Sequence, residues 1–407
     1  MQKVAETGEE HGHTKNILAV AVSPSGKFVA TGGEDNKLII WDAANLRPLK
    51  TFMQHRDSIS GLAFVRHIST MSSGEQLFSG SFDRTIKTWS VSTAGHAYVE
   101  TLFGHQDNVA SVAAMTIDQC LSVGARDRTA RLWKVVDEAQ LVFRGGASKN
   151  ASYHENNLDC VAPLPPHHFI TGSDSGSLAL WSIHKKKPLH IIPLAHGLEP
   201  LPPLDNLSSE LDEQTAASNA RHLRRLPRWI TALTTVPGTD VVLSGSWDGW
   251  VRAWKVSEDK KLIIPLGPVG GETLEPDTPS FQLKQNLASN ALPDGDTMAI
   301  DENPEQKPEN SKEESQPLVK GVINGIAVFE RRSDTARPDK PIDTKSKSSD
   351  PEPRGLCIVA AVGKEHRLGR WKCYANNYDD GPTPEGRNGA VVFEVPYFAD
   401  QVKKPSA

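Results

Sequence analysis

The stretch Ser122–Gly146 reads SVGARDRTARLWKVVDEAQLVFRGG. It opens as a strand of small and apolar residues, breaks at Asp127-Arg128 and resumes as a second strand ending at Trp133. Apolar and polar residues alternating on a period of two, punctuated by turn formers, mark β-strands and not helices. The arrangement recurs as ATGGEDNKLIIW (30–41), FSGSFDRTIKTW (78–89), ITGSDSGSLALW (170–181) and LSGSWDGWVRAW (243–254), with a weaker copy AAVGKEHRLGRW (360–371). Asp precedes Trp by six residues in Asp35/Trp41, Asp83/Trp89, Asp127/Trp133 and Asp248/Trp254. The repeats that end at Trp181 and Trp371 carry Ser175 and Glu365 at the Asp position.

Each copy follows an alternating apolar strand: ILAVAVS (17–23), ISGLAF (59–64), VASVAA (109–114), LDCVAP (158–163), ITALTT (230–235) and INGIAV (323–328). The first three are preceded by His13, His55 and His105. Histidine, a small hydroxyl residue, Asp and Trp at this spacing resemble the WD40 repeat, one four-stranded propeller blade per ~40–45 residues. The expected fold is therefore an all-β WD40 propeller over 13–396, after an N-terminal extension 1–12 and before a tail 397–407. His, Asp and Trp are expected to form a buried hydrogen-bond relay repeated from blade to blade. Repetition itself argues against a catalytic dyad, because an active site occurs once.

Six blades are legible, whereas most WD40 propellers have seven, closed by pairing of the two chain ends. Either the ring has six blades or a further N-terminal blade is missing from this sequence, and the second is the expectation because an open ring leaves a strand edge exposed. The tryptophans step by 48, 44, 48, 73 and 117 residues. The two long steps place inserts at 197–227, 271–317 and 331–354, too poor in large apolar residues to fold alone. The insert 271–317 carries eleven acidic residues and three lysines, which moves the rest of the chain from −5 to +3. The total charge thus hides a mildly basic body. The 38% hydrophobic content suffices for a core, and the 28 Pro and 31 Gly agree with many turns. Four cysteines (Cys120, Cys160, Cys357, Cys373) lack ligand or CxxC spacing, which fits a reducing compartment. Neither a signal peptide nor an apolar run of about 18 residues is present, so no membrane partner is expected.

There is no GxSxG, P-loop or HExxH motif, no cofactor motif, and no metal set beside the pairs His11/His13 and His167/His168, which read as loop residues. An enzyme is not expected. The basic clusters are more informative. Ser122–Lys149 holds six Lys/Arg against three Asp/Glu, and further clusters are Lys185-Lys186-Lys187, Arg221/Arg224/Arg225/Arg228 and Lys364/Arg367/Arg370/Lys372. Arginine forks match phosphate and stack on bases, and lysine supplies point charge. A basic propeller face could therefore hold a folded RNA by shape and backbone.

GARDRTARLWKVVDEAQLVFRGG, GSDSGSLALWSIHKKKP with AHGLEP after it, and GKEHRLGRW are similar to the WD-repeat 55K subunit family of the U3 small nucleolar ribonucleoprotein. ETLFGHQDNVA (100–110) agrees with this. LVFRGG and EHRLGRW are not demanded by a generic blade, so they carry more weight than the Asp and Trp. The resemblance implies binding to the box B/C element of U3 small nucleolar RNA beside a kink-turn-binding protein. It also implies work in the small-subunit processome on 18S pre-rRNA, in the nucleolus of the nucleus. The basic N-terminal tail and extra first blade of the family are absent here, and the acidic insert lies outside its pattern. The expected RNA contacts are Arg126, Arg128 and Arg144, with Lys364, His366, Arg367 and Arg370 as a second patch for RNA or a protein neighbour. Arg131 is expected to point into a blade interface. The competing expectation is a protein-only adaptor, such as a ubiquitin ligase substrate receptor, using exposed aromatics Trp247 and Trp250.

Overall fold

The computed structural model describes residues 12–65, 74–116, 118–145, 153, 155–199, 224–270, 319, 321–331, 355–369 and 388–396. These form six antiparallel sheets set as blades of a propeller, and no helix occurs among them. Blade 1 is β1–β4 (Ile17–Val22, Phe28–Gly33, Leu38–Asp42, Pro48–Phe52), and blade 2 is β5–β8 (Ile59–Phe64, Glu75–Ser81, Thr85–Ser92, Gly95–Phe103). Blade 3 is β9–β12 (Val109–Thr116, Gln119–Gly124, Thr129–Lys134, Ala139–Arg144), and blade 4 is β13–β16 (Leu158–Leu164, His168–Ser173, Leu178–Ser182, His190–Ile192). Blade 5 is β17–β20 (Ile230–Thr235, Val241–Ser246, Val251–Val256, Ile263–Pro268). Blade 6 has three strands, β21–β23 (Val322–Arg331, Gly355–Gly363, Gly389–Pro396), and its third strand contains AVVFEV (390–395).

Each sheet is a meander in chain order, and the first strands β1, β5, β9, β13, β17 and β21 contact one another in sequence around the axis. In such a meander the turn between strands two and three emerges on the same face as the link to the next blade. The other two turns emerge on the opposite face. Burial follows the radius: the middle strand β10 is buried along almost its whole length, whereas the outer strand β12 is largely exposed.

The core lies between blades. Phe28, Ala30, Leu38, Ile40 and Phe52 of blade 1 pack on Ile59, Leu77 and Trp89 of blade 2, and Phe143 of blade 3 meets Phe169 and Trp181 of blade 4. The glycines of four apolar-Gly motifs share one packing reason. A Cβ on Gly32, Gly80, Gly172 or Gly245 would stand 2.5, 2.4, 2.6 and 2.5 Å from Ile59, Val112, Ile230 and Ile323, each on the next blade. Only hydrogen lets the branched side chain of one blade seat on the backbone of the previous one, at the close packing interiors require.

The segment 197–227, expected to be disordered, is ordered at both of its ends. Its ends are tied into a neck: Leu198 and Pro227 form an antiparallel bridge, and the N–H of Arg228 donates to the carbonyl of Gly197 at 3.1 Å. Backbone pairing needs no large apolar side chain, so composition did not reveal it. Residues 271–317, 332–354, Arg370, Trp371 and the tail 397–407 lie outside the described residues. At the two ends of the series, β1 exposes Ile17, Val20 and Val22, and blade 6 exposes Phe329 and Val392. No strand pairing between blade 1 and blade 6 joins these ends among the described residues.

Candidate nucleic-acid interface

Among the described residues four blades carry the full relay. In blade 3 the indole N–H of Trp133 donates to Ser122 Oγ at 2.7 Å, Ser122 lies 2.7 Å from His105 Nε2, and His105 Nδ1 lies 2.7 Å from Asp127. Because the hydroxyl already accepts from Trp133, its own proton is directed at Nε2, which leaves the Nδ1–H to donate to Asp127. Blade 2 repeats this with Trp89, Ser79, His55 and Asp83, and blade 1 with Trp41, Thr31, His13 and Asp35. Burial pushes the Asp127 carboxyl up, but the hydrogen bond and charge of His105 and the Thr129 donors outweigh it and hold the group at about 2.

Blade 5 has the relay as well, through Trp254, Ser244, His196 and Asp248, with His196 Nδ1 3.1 Å from Asp248. His196 was missed from sequence because the neck and insert separate it from β17, whereas His13, His55 and His105 stand four residues before their strands. The signal was present in Ala195-His196-Gly197. Arg228 supports the same relay: its guanidinium donates to the His196 carbonyl at 3.3 Å and pairs with Asp248 at 3.7 Å.

Blade 4 departs. Trp181 still donates to Thr171 at 2.9 Å, but Ser173, Ser175 and Ser177 form a buried hydroxyl cluster where His and Asp would meet. Glu155 occupies the loop ahead of β13, buried near Asp174 and Arg128, with Oε1 lacking a hydrogen-bond partner among the described residues. Burial and the Asp174 charge push its carboxyl up to about 7, against a weaker opposing pull from Arg128.

The relays fix where the arginines stand. The turn after each motif Asp places its next residue in the left-handed region: Asn36 (φ 63°), Arg84 (φ 67°), Arg128 (φ 52°), Gly176 (φ 72°) and Gly249 (φ 77°). Asn and Gly suit that region, whereas arginine there costs about 1 kcal/mol. Blades 2 and 3 thus hold exposed guanidinium groups at two equivalent, strained positions on one face. Arg84 was not singled out from sequence, because the Asp-Arg-Thr triplet reads as ordinary repeat.

Arg126, Arg128 and Arg144 are brought together. Arg126 and Arg128 flank Asp127 and are exposed, the Arg126 N–H donates to Asp107 at 3.0 Å, and Arg144 pairs across from Thr129 at the exposed end of β12. The Gly145 N–H donates to the Arg128 carbonyl at 2.8 Å, so the strand end and the turn are stitched side by side. On the same face Arg224 and Arg225 are exposed at the neck, where the Tyr153 hydroxyl donates to the Arg225 carbonyl at 2.6 Å.

Arg131 is buried, 6.0 Å from the Trp133 ring centre, with its guanidinium donating to Gln140 of the same blade at 2.7 Å. The second patch requires correction. His366 is buried, and the Arg367 guanidinium turns into the central channel and donates to the carbonyls of Ser60 and Ala110, the latter at 3.0 Å. Arg367 thus reaches from blade 6 onto blades 2 and 3 instead of facing outward, because inner-strand carbonyls attract a cation. The channel, about 890 Å³, is lined by Asn16, Ser60, Ser111, Thr231 and Asn324 of the first strands and their approaches. Lys364 is half-buried, with its N–H donating to Asn388 at 2.8 Å. Trp247 is not exposed: it is buried against Trp229 with ring centres 4.7 Å apart.

A WD domain, G-beta repeat model matches residues 6–42, 46–90, 97–134 and 221–255. The solved structure described as U3-55K aligns over 95% of this chain and 82% of its own, with 30% identity and a TM-score of 0.61. The chain belongs to the WD40-repeat family of U3 snoRNP-associated proteins. Two curated members of this family agree. Ribosomal RNA-processing protein 9 of Saccharomyces cerevisiae is 36% identical over 88% of this chain and 56% of its own length. U3 small nucleolar RNA-interacting protein 2 of Homo sapiens is 38% identical over 65% of this chain and 49% of its own length. The chain thus spans about half the length of these U3 snoRNP-associated relatives.

Proposed function

We propose that this propeller binds RNA without catalysis. It grips the box B/C element of U3 small nucleolar RNA beside a kink-turn-binding protein, as part of the small-subunit processome that matures 18S ribosomal RNA in the nucleolus. The observation that carries this reading is the cluster of exposed Arg126, Arg128 and Arg144 around one turn of blade 3. Arg84 stands at the equivalent position of blade 2. None of these side chains serves the relay, and surplus guanidinium groups on a flat rim suit phosphate and base faces. The relatives' names support the same reading. Among the described residues no group of three or more His, Cys, Asp or Glu could hold a metal ion.

The test is the affinity of the full chain for a U3 box B/C RNA across several salt concentrations, compared with the Arg126→Ala/Arg144→Ala variant. Loss of two phosphate contacts should weaken binding and flatten the slope of log affinity against log salt by about 2. Equal affinity and equal slope would remove these arginines from the interface.

A further inference from the structure

On the opposite face, blades 4 and 5 bring together a group of side chains that neither relay nor arginine rim uses. His167 comes from the turn between β13 and β14, His168 opens β14, and His184 with Lys185, Lys186 and Lys187 comes from the turn between β15 and β16. The His167 and His184 rings are 5.1 Å apart, and the Ile183 N–H donates to the His167 carbonyl at 3.0 Å, which locks the two turns together. Lys260, from the corresponding turn of blade 5, reaches the same place. It forms an ion pair with Asp240 and lies close enough to His168 to act on its titration.

The charge balance of this surface is uneven. Lys185, Lys186 and Lys187 are exposed, as are His167 and His184. The anions of the neighbouring turns are Asp240, committed to Lys260, and exposed Glu258 and Asp259, beside Lys261. His190, nearer the blade interior, accepts the Ile263 N–H at 3.3 Å. Burial and the charge of Lys260, His167 and His184 push the His168 imidazole below its ordinary value. Three imidazoles and four lysine ammonium groups therefore share one surface with few carboxylates. Such an arrangement is unfavourable alone and is relieved by a bound anion.

We propose that this lysine–histidine surface docks an acidic segment of a partner protein, more tightly as the pH falls. Polypeptide is favoured over RNA by the chemistry of the patch. These turns contain no arginine to fork a phosphate or lie flat on a base, and their lysines are point charges suited to separate carboxylates. The Lys260–Asp240 pair shows the geometry on a small scale. An extended peptide rises ~3.3 Å per residue, so six to eight residues suffice to cross three turns. The inference is independent of the arginine rim, which lies on the other face.

The test uses the full chain and a fluorescein-labelled octaglutamate peptide, with anisotropy read at pH 6.0 and pH 7.5 in low salt. Binding should be several-fold tighter at pH 6.0. The Lys185→Gln/Lys186→Gln/Lys187→Gln variant should lose about tenfold at both pH values. The His167→Gln/His184→Gln variant should keep binding at pH 7.5 and lose the gain at pH 6.0. Neither variant should change affinity for the box B/C RNA, which separates this surface from the arginine rim. Failure of the wild-type chain to bind the peptide, indifference of binding to the lysine variant, or equal displacement of the peptide by an octauridylate overturns the proposal. The last outcome would assign the patch to nucleic acid.

Discussion

Blades 3 and 4 stand side by side and solve one problem in two ways. Blade 3 ties its strand-two-to-three turn to the preceding loop with His105, Asp127, Ser122 and Trp133 in an unbroken chain of hydrogen bonds. Blade 4 keeps the tryptophan–hydroxyl bond but fills the remainder with Ser173, Ser175, Ser177 and a buried Glu155. Both have the same strand order and pack on a shared apolar core. The comparison teaches that burial of strand faces builds the blade, and that the relay then fixes its turn. It also shows two carboxyls driven in opposite directions. The one supplied with donors is held down at about 2, and the one left short is pushed up to about 7.

The largest expected difference comes from breaking the donor-rich side. Asp127→Ala leaves the buried His105 Nδ1 without its acceptor and should cost about 3 kcal/mol. Ser175→Ala, at the matching position of blade 4, retains the Ser173–Ser177 bond and should cost about 0.5 kcal/mol. Equal losses in chemical denaturation would contradict the view that the relay matters where it is complete.

The next effect is a pH profile. The Glu155 carboxyl is raised in the folded state, so the folded chain holds its proton more tightly than the unfolded one. Stability from this group is complete below the ordinary glutamate value of 4.5 and is lost as pH rises through about 7. Glu155→Gln should therefore match wild type at pH 4 and gain about 2 kcal/mol at pH 8. Asp127 has the opposite sign: its contribution is present above 3.8 and disappears as pH falls through about 2. A Glu155→Gln variant whose melting temperature tracks wild type from pH 4 to pH 8 would show that Glu155 is not held protonated.

The smallest effect sharpens the contrast between structure and recognition. Arg128→Gly gives the left-handed position of blade 3 the residue that blade 4 already has at Gly176. It should raise stability by up to about 1 kcal/mol while weakening RNA binding. Stability and affinity moving together would place Arg128 among the structural residues.

Much of the fold was legible because its determinants are local. Alternation, the turn at Asp and the terminal Trp recur within a dozen residues, so Asp35, Asp83, Asp127 and Asp248 could be assigned to relays from spacing. His196 could not, because its strand partner comes after an insert and the hydrogen bond depends on three-dimensional closure of the neck at Leu198 and Pro227. The candidate site divided in the same way. Arg126 and Arg128 flank a turn residue, and their long charged side chains stay exposed there, although Asp174 and Trp247 at the position of Arg126 in blades 4 and 5 are buried. Arg367 looked equivalent in sequence, yet its long side chain finds the carbonyls of Ser60 and Ala110 across the channel.

The sequence by itself determined the repeating blade, the family and the presence of surplus guanidinium groups, since each is written within a short window of residues. Only the tertiary structure decided which charges face outward, which side chains surround the buried hydroxyls of blade 4, and which histidines meet lysines on the far face. Those outcomes depend on which blade lies next to which, and on desolvation and hydrogen bonding between residues far apart in the chain, neither of which has a local signature.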